Sequence, residues 1–240
     1  MSTQPLVVFI TATDTGVGKT VLTGLLLEWL QRSDSRVLAW KPFSSGGRED
    51  AEFFRTLMLK GARDGEELTL DQINPFAFRA PITPLLAARQ EGVRVNLSDV
   101  SKQLRGFAGR ADILLVEGAG GLLSPLGEGF SAIELIREWQ CPVLVVAPNR
   151  LGVINHLRLT IGALKASGIS RIAVALTEPM VPDDSSEGNA DLLREYFPQL
   201  PLVTIPHLTD GPVSPDLVEE SVALLDSQMR ALTGALLDRA

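Results

Sequence analysis

Six short apolar runs constrain this 240-residue chain more than any other feature: residues 6–10, 37–40, 113–116, 143–147, 172–176 and 202–205. Each is apolar at successive positions and not at alternate ones. A strand with one face in water alternates, whereas a strand covered on both faces need not. Between the runs, apolar residues recur at helical spacing. Leu22, Leu25, Leu26, Trp29 and Leu30 make one stripe, and Leu157, Ile161 and Leu164 make another. Leu217, Ser221, Leu224, Leu225 and Gln228 mark a helix near the C-terminus. Strands alternating with helices predict an α/β fold: a mostly parallel central sheet of about seven strands with helices on both faces.

No internal repeat, low-complexity tract or convincing linker interrupts this pattern. Residues 179–188 (PMVPDDSSEG) read as a surface loop, and 1–240 is expected to form one domain. A net charge of −7 argues against a general polyanion-binding surface, so nucleic acid is not an expected partner. The stretch 6–10 is too short for a signal peptide, and no run approaches the ~18 apolar residues of a membrane span. A cytoplasmic location without a membrane partner is therefore expected. The one cysteine, Cys141, excludes an intrachain disulfide and a Cys-rich zinc site, and its place before an apolar run predicts a small buried residue.

In parallel sheets ligands bind beyond the carboxyl ends of the strands. Beyond the first run lies TATDTGVGKT, residues 11–20, followed at once by the first helical stripe. Gly16 and Gly18 allow the backbone to curl so that successive N–H groups face an anion, with a helix N-terminus behind them. Lys19 would reach the β- and γ-phosphates, and the Thr20 hydroxyl would ligate Mg2+. The frame is thus P-loop NTPase-like. The glycine of the longer form of this loop would fall at Ala12, a mild departure. Glu117 ends the third run ahead of four small residues, where a buried carboxylate is costly unless paired or metal-bound. Asp50 precedes Phe53, Phe54, Leu57 and Met58, where helix capping would equally explain it.

Residues 13–20 closely resemble the phosphate loop of dethiobiotin synthetases, a branch of P-loop proteins shared with Min/Par-type ATPases and cobyrinate amidotransferases. The resemblance continues through KPFSSG (41–46), Asn74-Pro75, PITP (81–84), EGAGG (117–121) and LGVINH (151–156). It implies an ATP- and Mg2+-dependent ligase closing a cyclic urea on 7,8-diaminononanoate with CO2, through a carbamate and a carbamic-phosphoric anhydride. Lys41 and Lys19 would stabilise the transferred phosphoryl group, and Thr15 and Ser45 would hydrogen-bond the substrate amine or carbamate. Nucleotide contacts would run from Gly16, Val17, Gly18, Lys19, Thr20 and Val21 through Asp50, Glu117, Gly118, Ala119 and Gly120. Thr177 and the turn Pro206, His207 and Leu208 would border the base. Thr20, Asp50 and Glu117 would hold the metal. The amides of Gly152, Val153, Ile154 and Asn155 would bind the substrate carboxylate across a homodimer.

Three departures accompany the match. Leu85 stands where the family often has histidine, which leaves open a related ligase with another substrate. Thr177 and Glu178 stand where an Asn-Asp pair often reads adenine, so a relaxed nucleotide choice is expected. Asp14 stands where Min/Par-type switch ATPases usually carry a lysine, and that weakens the switch-ATPase alternative.

Overall fold

All six apolar runs become strands, and all six lie in one sheet. The computed structural model describes residues 4–33, 35–61, 67–209 and 211–238. From the N-terminus its elements are β1 (Leu6–Ala12), α1 (Lys19–Gln31), β2 (Val37–Trp40), β3 (Phe43–Ser45), α2 (Glu49–Gly61), α3 (Leu70–Ile73) and β4 (Phe76–Phe78). There follow α4 (Pro84–Gln90), α5 (Leu97–Arg105), β5 (Ile113–Glu117), β6 (Pro125–Gly127), β7 (Phe130–Ser131) and α6 (Ala132–Trp139). The remainder holds β8 (Val143–Pro148), α7 (Val153–Ala166), β9 (Ile172–Thr177), α8 (Ser186–Tyr196), β10 (Leu202–Ile205), α9 (Pro215–Leu224) and α10 (Asp226–Leu237).

The sheet order is β10-β9-β8-β1-β5-β2, parallel throughout. It has six strands where about seven were expected. The other extended segments pair off separately, β3 with β4 and β6 with β7. Phe9, Ile10, Leu114, Leu144 and Val174 are buried from both sides, which is why the runs carry no polar alternation. β1 occupies the middle, with β5 on one side in the register Ile10 to Glu117 and β8 on the other in the register Ala12 to Val146. That register brings the carboxyl ends of β1, β5 and β8 to one edge.

The α1 stripe is buried as expected, with Leu22, Leu25, Leu26 and Leu30 inside and Trp29 partly covered. The C-terminal helix departs from expectation. The backbone breaks at Leu225 and divides it into α9 and α10, so the buried stripe is Val218, Ser221, Val222, Leu225 and Met229. Leu224, assigned to the apolar face by a single-helix reading, is 84% exposed. Among the described residues no helix is long and apolar enough to cross a membrane.

Candidate active site

The chain leaves the sheet at Ala12 and reaches α1 at Lys19. Ala12 is fully buried within β1, and positive φ among the described non-glycine residues is confined to Gln140. The missing glycine therefore costs nothing at that position. The loop's left-handed positions are Gly16 (φ 70°) and Gly18 (φ 93°), where a side chain would be strained. A Cβ on Gly18 would also lie 3.2 Å from Thr177 Cγ2. No side chain caps α1. Among the described residues the N–H groups of Gly16, Val17, Gly18, Lys19 and Thr20 have no hydrogen-bond acceptor. With the positive end of the α1 dipole behind them, they form a site for an anion. The Lys19 Nζ donates to the Asp14 carbonyl at 3.1 Å. Burial pushes its ammonium below the ordinary lysine value, opposed by Glu117 and reinforced by Lys41.

Lys41 follows β2 and is held by its backbone. Its N–H donates to the Ile73 carbonyl at 3.0 Å, and its carbonyl accepts from Asn74 Nδ2 at 2.7 Å. Its ammonium donates to Glu117 Oε1 at 2.5 Å and to Asp50 Oδ2 at 2.8 Å. Burial alone would lower the Lys41 pKa, but the two carboxylates outweigh it and hold the group above its ordinary value. The same contacts hold Asp50 below the usual carboxylate range against its own burial, with Thr20 helping. Asp50 is not the cap of α2: it lies inside the first turn of the helix, with its carboxylate on the Lys41 ammonium.

The donor set fits magnesium. Thr20 Oγ1 lies 3.0 Å from Glu117 Oε1, and one ammonium reaches both carboxylates, so three hard oxygen donors converge where a single cation can meet them. Among the described residues no cluster of three or more acidic, histidine or cysteine side chains builds a full metal cage. Magnesium at phosphate sites characteristically takes one or two carboxylates and completes its shell with phosphate and water.

Two anchors have no role assigned to them by the sequence pattern. Asn74, buried, accepts from Ser44 Oγ at 2.8 Å and from Arg48 Nε at 3.1 Å while gripping Lys41. Thr23, also buried, donates to Glu117 Oε2 at 2.7 Å. Asn74 carried a signal in the Asn-Pro match, whereas Thr23 looked like an ordinary helix-interior residue.

Thr15, Gly16, Gly18, Lys19, Thr20, Val21, Lys41, Ser45, Asp50, Glu117, Ala119 and Gly120 share the lining of one cavity of about 850 Å3, joined by residues 81–84 but not by Leu85. Val17 is buried behind the loop, and the Gly118 N–H is engaged by the Ile10 carbonyl at 2.9 Å. Thr177 packs under the loop, its hydroxyl 3.0 Å from the Val17 carbonyl and 3.3 Å from that of Ala147. Glu178 accepts from Asn149 Nδ2 at 2.7 Å. Pro206, His207 and Leu208 leave the sheet beside Thr177, which pairs with Ile205. The 151–155 turn does not line the cavity; Leu151 N–H donates to Asp183 Oδ2 at 2.8 Å, and Val153 N–H donates to the Arg150 carbonyl at 3.1 Å. Cys141 is buried, and that burial pushes its thiol up to about 12.

A family model described as an AAA domain matches residues 7–220. The ATP-dependent dethiobiotin synthetase BioD of Marinobacter nauticus is 41% identical over 165 residues, covering 67% of this chain and 70% of its own. That of Xylella fastidiosa is 35% identical over 208 residues, covering 85% and 91%. The chain belongs to the dethiobiotin synthetase family. Dethiobiotin synthetases are ATP-dependent cyclo-ligases. The pNOB8 ParA protein, solved bound to nonspecific DNA, superposes with a TM-score of 0.55 over 96% of this chain and 98% of its own. At 14% identity that likeness concerns the fold alone.

Proposed function

We propose that this dethiobiotin synthetase, acting as one P-loop domain, converts 7,8-diaminononanoate, CO2 and ATP into dethiobiotin, ADP and phosphate. The observation that carries this reading is the meeting of Lys19, Lys41, Thr20, Asp50 and Glu117 at one end of a single cavity. One substrate amine adds to CO2 and loses a proton, giving a carbamate. A carbamate oxygen attacks the γ-phosphorus, ADP leaves, and the second amine closes the ring on the carbamoyl carbon as phosphate departs. Phosphoryl transfer asks a protein for positioning and charge neutralisation more than for a covalent partner. The open amides of residues 16–20 bind the phosphates, and Lys19 and Lys41 balance the charge that moves between oxygens. Thr15 and Ser45, which line the same cavity, hold the amine and carbamate. Thr20, Asp50 and Glu117 would hold Mg2+, which would supply positive charge against the phosphates.

The carboxylate tail of the diamine has its cradle in the amides of Gly152, Ile154 and Asn155 at the start of α7, the Val153 N–H being held by the Arg150 carbonyl. Those amides lie off the cavity, so the reading requires a homodimer in which each copy brings them to the other's site. Leu123 (62% exposed), Leu151 (81%) and Leu159 (65%) offer apolar surface for that contact, with Leu123 and Leu159 lining one groove. The test is phosphate release from MgATP with and without the diamine and bicarbonate. Release requiring both supports the reading; release indifferent to the diamine contradicts it.

A further inference from the structure

We propose that Thr23 is a positioning residue that fixes the Glu117 carboxylate so that Oε1 faces the cavity, an inference that rests on the reading of Glu117 as a metal carboxylate. Both side chains are fully buried. Glu117 Oε1 accepts from Lys41 and Thr20, whereas Oε2 accepts from Thr23 alone among the described residues. The Thr23 hydroxyl has one hydrogen and two acceptors in reach, Glu117 Oε2 at 2.7 Å and the Lys19 carbonyl at 2.9 Å. A helical threonine ordinarily bonds back to the carbonyl four residues earlier. A hydrogen bond to a carboxylate is roughly twice as strong as one between neutral groups, so the proton goes to Glu117. Thr20 and Thr23 lie one turn apart on the same face of α1. The phosphate-loop helix therefore holds both oxygens of the carboxylate at once, and the carboxylate cannot turn without breaking a bond to it.

Removing the Thr23 hydroxyl leaves Oε2 charged, buried and without a donor. The carboxylate is then free to rotate, and Oε1 loses its direction. Hydrogen-bond partners behind metal ligands are typically worth about 10–100-fold in metal affinity.

The test is Mn2+ binding to the full chain in the presence of ADP, read by the electron paramagnetic resonance of free Mn2+. Thr23→Val and Thr23→Ala are expected to weaken binding about tenfold or more. Thr23→Ser, which keeps the hydroxyl, is expected to restore it. The Mg2+ concentration giving half-maximal turnover rises by the same factor, while the rate at saturating Mg2+ stays near that of the parent. Thr23→Ala avoids any strain from the valine methyl and carries the test if Thr23→Val does not fold. A smaller loss in folded Thr23→Ala overturns the proposal, as does failure of Thr23→Ser to restore affinity. Glu117→Gln separates the role of Glu117 from that of Thr23. If it too leaves Mn2+ binding unchanged, the metal reading of Glu117 fails; if it weakens binding while Thr23→Ala does not, only the Thr23 inference fails.

Discussion

The Lys41 ammonium lies 2.5 Å from Oε1 of Glu117, and neither group has appreciable contact with solvent. With Asp50 at 2.8 Å on its other side, one lysine balances two carboxylates at the place where their oxygens converge with Thr20. The lysine is therefore the shared partner of both carboxylates, and in the proposed reaction it would also balance charge on the transferred group.

Breaking a buried pair leaves an uncompensated charge, typically at a cost of about 3–5 kcal/mol. Lys41→Met should lower the unfolding free energy measured by urea titration in EDTA by an amount in that range, and the double variant Lys41→Met/Glu117→Gln should recover most of it. Equal unfolding free energies for parent and Lys41→Met would show that the ammonium does not balance Glu117.

Turnover gives a second prediction. Lys19→Ala and Lys41→Ala each remove a charge facing the transferred phosphoryl group, and each should cost several kcal/mol in the barrier while the protein still folds. Circular dichroism checks folding and a product assay checks rate. Near-normal turnover in folded Lys41→Ala would remove it from the chemistry.

The six strands were legible in the sequence because a strand covered on both faces must be apolar throughout, and Lys41 and Glu117 were legible because they follow such strands. The small pairs were not. Phe43–Ser45 and Phe76–Phe78 are short, and only their tertiary pairing makes them strands. Thr23 was equally silent, since its partner is 94 positions away and the β1–β5 register brings them together. Leu225 carries no breaker, so the division of the last helix was hidden from residue type.

Base selection follows from Thr177. Its hydroxyl faces the Val17 and Ala147 carbonyls, and Glu178 is engaged by Asn149, so neither side chain is free to read a base edge. ATP, GTP and CTP should support turnover within about tenfold, or ~1.4 kcal/mol. A thousandfold preference for ATP would mean that other groups, such as the backbone at Pro206–Leu208, read the adenine.

Cys141 predicts a pH dependence. Burial raises its thiol to about 12 in the fold, whereas an unfolded chain loses that proton near ~8.5. Between those values the unfolded state binds fewer protons, so stability falls as pH rises, by about 1.4 kcal/mol per unit. Relative to Cys141→Ala, the parent should lose stability between pH 8.5 and 10 in urea titrations. A constant difference between the two would contradict the buried, neutral thiol.

The lysine–carboxylate cavity is expected to close a cyclic urea at the expense of ATP. Incubation with 7,8-diaminononanoate, 13C-bicarbonate and MgATP, followed by mass spectrometry, tests it most directly. Dethiobiotin carrying one labelled carbon, formed in step with one phosphate and abolished by Lys41→Ala, is the predicted result. Phosphate release without labelled dethiobiotin would contradict it.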